Sequence, residues 1–103
     1  MKVYIAGPIT GVDNYRKTFN DAEEILLNQG HIVMNPALLS DGFKWAEYMS
    51  ITLDMLYCCD AIYLLPGWEH SKGAKLELRH SIGKQDVVMV AEALANVGRK
   101  ETL

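Results

Sequence analysis

The sequence is short of the features that would place it quickly. It has 2 cysteines, Cys58 and Cys59, and they are adjacent. Neighbouring cysteines make no disulfide framework, and a lone pair lacks the spacing of a zinc site. Its three histidines, His31, His70 and His80, are scattered without metal-ligand spacing. No apolar run reaches the roughly 18 residues that a membrane-crossing helix needs, and the apolar start "VYIA" is too short for a signal-peptide core. Basic runs are also missing, and the net charge is -3, so a nucleic-acid surface is not expected. These absences leave a cytoplasmic, reducing setting without a membrane or nucleic-acid partner. What remains is a chain of 103 residues, 50% apolar and 22% charged, enough for one domain with a real core.

The pattern along the chain alternates strand and helix. Residues 2–6, "KVYIA", form a β-rich run stopped by Gly7-Pro8. Residues 15–30 carry Phe19, Ala22, Ile25 and Leu26 at helical spacing before a Gly30 stop. A short strand at 31–35 ends at Pro36, and a second helical pattern at 43–58 places Ala46, Met49, Leu53 and Leu56 on one face. A third strand (60–66), a third helix (71–84) and a fourth strand (86–91) follow, while residues 92–103 read as a last helix or a tail of the same domain. Such alternation predicts a three-layer α/β/α fold on an open parallel sheet of four to five strands, Rossmann- or flavodoxin-like, occupying residues 1–91. The apolar runs "AIYLL" and "VVMV" predict strands covered on both faces.

Open parallel sheets bind ligands outside the carboxyl ends of their strands. That rule singles out loops 7–14, 35–42 and 66–72 and the segment after Ala91. The first offers Gly7, Thr10 and Gly11 near a helix start, where backbone N–H groups can meet an anion; an ordinary strand-to-helix turn reads the same way. The third has Ser71 to cap a helix, Gly73 to leave its first turn open, and Trp68 to stack on a base or to cover the core. Glu77 stands further along that helix beside the stripe Ala74, Leu78 and Ile82 expected to face the sheet, with no Lys or Arg at i±3 or i±4. An unpaired carboxylate on an inward face is costly unless it has a use. Asp54 lies late in the second helix, and Asp60 opens the third strand as a turn residue. Glycosyl transfer needs a carboxylate nucleophile and a second carboxyl group, which Glu77 and Asp54 could supply if the fold joins them. Tyr4 on the first strand would need a polar partner for its hydroxyl if buried.

With these residues assembled, the chain resembles the nucleoside 2-deoxyribosyltransferase superfamily, and within it the short bacterial and phage members. The resemblance rests on "YIAGPITG" (4–11), "NPA" (35–37), "WAEYM" (45–49), "CDAIYLLPGW" (59–68) and "SKGAKLE" (71–77), spread over residues 1–91. It implies Glu77 as the nucleophile at the anomeric carbon of a deoxyribose, Tyr4 as the residue orienting it, and Asp54 as the acid near the departing base. It implies a structural or indirect role for Asp60, and 5′-end contacts from Gly7, Thr10, Gly11, Ser71 and Gly73. The implied partner is a nucleoside or its 5′-monophosphate, handled without metal or organic cofactor by a homodimer or higher homo-oligomer. The first loop lacks the arginine of phosphate-selective relatives; Arg16 and Lys17 come later. A base-exchanging transferase, a hydrolase, and a non-catalytic nucleotide-binding or sensing module all fit this resemblance.

Overall fold

A computed structural model describes residues 1–91; the segment 92–103 lies outside the described residues. The sheet is built from β1 (Lys2–Ala6), β2 (Ile32–Met34), β3 (Ala61–Leu64) and β4 (Val87–Val90). The helices are α1 (Tyr15–Asn28), α2 (Trp45–Tyr57) and α3 (Lys72–Gly83), with short 3-10 turns at Pro36–Leu38 and Trp68–His70. All strand pairs are parallel and the order is β2-β1-β3-β4. The expected α/β architecture is therefore the observed one, with four strands among the described residues.

Side-chain alternation along β1 and β3 divides the core into two layers. On one face Val3, Ile5 and Ala61 pack with Phe19, Ala22 and Leu26 of α1. On the other, Tyr4, Ala6, Ile62 and Leu64 pack with Leu56 of α2 and Ala74 of α3. At about 25 cal/mol per Å² of apolar surface, these two layers are the principal stabilising contribution.

Three details depart from the sequence pattern. Among the described residues β4 is an edge strand, and Val87, Val88 and Val90 are exposed there, so its apolar run does not mark burial on both faces. On α1, Ile25 is exposed while Phe19, Ala22 and Leu26 carry the buried stripe. On α3 the buried row is Ala74, Glu77 and Ser81, and Ile82 is exposed. Ser81 tolerates full burial because its hydroxyl donates to Asp86 Oδ2 at 2.6 Å. That rotation of α3 turns Glu77 toward the sheet.

The strand order reverses between β1 and β3, where successive connections leave in opposite directions. The backbones approach closely there. Leu65 N–H donates to Ala6 O at 2.8 Å, and a Cβ on Gly7 would stand 2.8 Å from Leu65 Cβ. Only glycine fits at that position.

Candidate active site

A cavity of about 640 Å³ opens at this switch point, within the range of small-molecule sites. Its deep wall is made by Tyr4 from β1, Thr52 from α2, and Ala74 and Glu77 from α3, all buried. Gly7 and Thr10 contribute the loop after β1, and Ser71, Lys72 and Gly73 the start of α3. Tyr15, Trp45 and Tyr48 add aromatic surface, with Trp45 42% exposed and so at the mouth.

Local sequence explains how each wall is fixed. Ser71 caps α3, its side chain accepting the Ala74 N–H at 3.2 Å. Gly73 lets α2 come close, since a Cβ there would lie 3.2 Å from Met49 Sδ. The loop after β2 is held by Asn35, which accepts the Ala37 N–H at 2.9 Å and donates to Asn20 Oδ1 and Glu23 Oε1 on α1. Arg16 binds the same loop, donating to Ala37 O at 3.1 Å and Leu39 O at 3.2 Å and pairing with Asp41 at 3.1 Å. Lys72 Nζ lies 4.3 Å from the centroid of the Trp45 ring, a cation–π contact on the cavity wall.

The chemical centre is a buried pair. Tyr4 Oη donates to Glu77 Oε2 at 2.7 Å, with Glu77 6% exposed and Tyr4 fully buried. Burial pushes the Glu77 carboxyl up from 4.5 to about 7, against the opposing influence of the Tyr4 and Thr52 hydroxyls. No cation is paired with it among the described residues. The Tyr4 hydroxyl is raised well above its ordinary value by burial first and by the Glu77 carboxylate second, so it stays protonated and keeps donating. With its proton affinity raised toward neutral pH and one phenol orienting it, the Glu77 carboxyl group has the chemistry of a base or nucleophile when ionised.

The expected site residues separate into two groups. Tyr4, Gly7, Thr10, Ser71, Gly73 and Glu77 line one cavity. Gly11 does not reach it; it is exposed in a turn at φ +74°. Trp68 is partly buried against the core cluster of Tyr4, Leu56, Ile62 and Ala74 and does not line the cavity. Asp60 stands at the opposite end of the sheet, where its carboxylate accepts the Lys2 N–H at 3.2 Å. Asp54 is exposed. The inward row of α2 is Met49, Thr52 and Leu56, and two residues past Thr52 the helix has turned by about 200°, so Asp54 points to solvent.

Sequence reading missed Thr52, Trp45, Tyr15, Tyr48, Asp41 and His70 on the cavity wall. For Thr52 a signal was present: it is the polar member of an i, i+3, i+7 row that starts at Met49 and ends at Leu56. For Asp41 and the tyrosines there was none, because loop and helix-end residues carry no period. Among the described residues no three His, Cys, Asp or Glu side chains are grouped to hold a metal ion, and no helix is long and apolar enough to cross a membrane.

A similar fold is found in a 2-desoxiribosyltransferase from Leishmania mexicana, with a TM-score of 0.68 at 21% sequence identity over 86% of this chain. This chain spans 62% of that protein. No curated protein matches the sequence. The family described as a domain of unknown function, DUF4406, matches residues 1–90, and the chain belongs to that family.

Proposed function

We propose that the protein cleaves or transfers the N-glycosidic bond of a 2′-deoxynucleoside or its 5′-monophosphate through a covalent glycosyl-Glu77 intermediate. The observation that carries this reading is the Tyr4–Glu77 pair, a buried, cation-free carboxyl group whose proton affinity sits near neutral pH, facing a nucleotide-sized cavity. The fold shared with the Leishmania enzyme supports the substrate class.

In this mechanism a Glu77 oxygen bonds to the anomeric carbon as the carbon–nitrogen bond breaks, and the electron pair leaves with the base. Tyr4 holds the attacking carboxylate in line. The departing base takes a proton. Asp54 is exposed, and Asp41 is held below the usual carboxylate range by Arg16, so neither serves as donor. His70, on the cavity wall, has suitable chemistry for that step. Water or a second base then attacks from the face the first base left, opposite Glu77, and the Glu77–carbon bond breaks, so two inversions give overall retention. The aromatic side chains at the mouth offer a stacking surface for the base, and the first turn of α3 with Gly7 and Thr10 receives the 5′ end.

The test is incubation with each deoxynucleoside and deoxynucleoside 5′-monophosphate, with free base measured by chromatography. Base release abolished in Glu77→Ala supports the reading, and full activity in that variant overturns it. A second reading, a nucleotide-binding module without turnover, is favoured by one observation: Arg16, the nearest arginine to the first loop, is already committed to Asp41. It is distinguished by a raised melting temperature with nucleotide and no base released over long incubation.

A further inference from the structure

Thr52 is 94% removed from solvent by its 6% exposure, and its Oγ1 has no hydrogen-bond partner among the described residues. A buried hydroxyl left without a partner is unfavourable, because it has lost its bonds to water and gained none in the fold. Most buried threonines avoid this by donating to a carbonyl one turn back, so an unpartnered one calls for a reason. Its surroundings suggest one. Thr52 lines the same cavity as Tyr4 and Glu77, and its hydroxyl opposes the upward shift of both groups.

The Glu77 carboxylate has an opposite deficit. An ionised carboxylate accepts about four hydrogen bonds, and Tyr4 supplies one. Tyr4 has a single hydrogen, already given to Oε2, so it offers no second donor. The other titratable groups lining the cavity are Tyr15, Asp41, Tyr48, His70 and Lys72. Tyr15 donates to Asp41 and Tyr48 to Ser40 O, while Lys72 lies over Trp45. The deep wall thus holds one donor without an acceptor and one acceptor short of donors.

We propose that Thr52 is the positioning residue of this site, turning its hydroxyl hydrogen onto the Glu77 carboxylate to give the buried anion its second donor. The pairing aims the hydroxyl hydrogen at the carboxylate by rotation about the Thr52 Cβ–Oγ1 bond. In the neutral state of Glu77 the hydroxyl waits unpaired; in the charged state it is paired. Thr52 thereby favours the form of Glu77 that attacks, and its catalytic consequence rests on the function proposed above.

The experiment is a pH titration of the Glu77 carboxyl carbon by NMR in protein carrying ¹³C-labelled glutamate, compared among wild type, Thr52→Val, Thr52→Ala and Thr52→Ser. It needs no substrate, so it stands whether or not the protein turns over a deoxynucleotide. The expected result is an upward shift of the Glu77 midpoint by about half a pH unit or more in Thr52→Val and Thr52→Ala, with Thr52→Ser restored to wild type. Melting temperature in Thr52→Val should be unchanged or higher, because an unpaired buried hydroxyl has been removed. Midpoints equal to wild type in both Thr52→Val and Thr52→Ala would overturn the proposal. Where base release is observed, its acidic limb should shift with the same variants at unchanged KM; a failure of base release in wild type contradicts the enzyme reading alone.

Discussion

Two carboxylates with little solvent exposure stand in and just past α3, and they are treated differently. Asp86, just past its carboxyl end, has a side chain 6% exposed, accepts the Ser81 hydroxyl at 2.6 Å and pairs with Lys84 Nζ at 3.0 Å. Lys84 also donates to Leu56 O and Cys59 O, so one cation ties the end of α2 to the start of β4. Glu77, buried as a whole residue, has a phenol and, among the described residues, no cation. The first arrangement is closed, and every strong group in it has an answer. The second is open toward a cavity, and its charge is held at a cost to the fold. This difference separates an acid that builds the structure from one available for chemistry.

Glu77→Gln breaks the comparison most severely. Base release should fall about a thousand-fold or more, as expected for loss of a nucleophile. Stability should move the other way. Because folding raises the Glu77 pKa from 4.5 to about 7, its contribution is most favourable at acid pH and is lost as pH rises through that window. The neutral amide avoids that loss, so at pH 8 the variant should be more stable to urea by up to about 3 kcal/mol, with little difference at pH 4.

Lys84→Met attacks the closed site. It strands the buried Asp86 and removes the cap on α2, and urea unfolding should report a loss of about 3 kcal/mol, with catalysis per folded molecule unchanged. Tyr4→Phe comes next. Removing the donor to Glu77 raises the carboxyl pKa further, so base release at pH 6 should fall about ten-fold and recover partly at pH 8. The smallest effect is expected for Asp54→Asn, with activity within about two-fold of wild type, since an exposed residue on the far side of α2 does not reach the substrate.

Much of this organisation was legible in the chain. The alternation of strands and helices gave the parallel sheet, and strand ends gave the side on which a ligand would sit. A tyrosine on β1 and an unpaired glutamate on α3 each needed a partner, and the fold makes them partners of one another. Asp54 shows where the reading lost its grip. Helical period alone fixes a face only to within about one residue, and the inward row could have been read from Ala46, Met49 and Leu53 as readily as from Met49, Thr52 and Leu56. Which row wins depends on how α2 leans against α3, a packing fact set partly by Gly73. The outward turn of Ile82 has the same origin, since the Ser81–Asp86 bond fixes the rotation of α3. The Arg16–Asp41 clamp joins residues 25 apart whose approach depends on the whole path of the chain.

The most direct test is the mass of the protein quenched in acid seconds after mixing with a deoxynucleoside 5′-monophosphate. The expected result is a fraction of chains heavier by one deoxyribosyl phosphate, with the adduct on the peptide containing Glu77 and none in Glu77→Gln. Base release without any adduct on Glu77, or an adduct that persists in Glu77→Gln, would contradict the account.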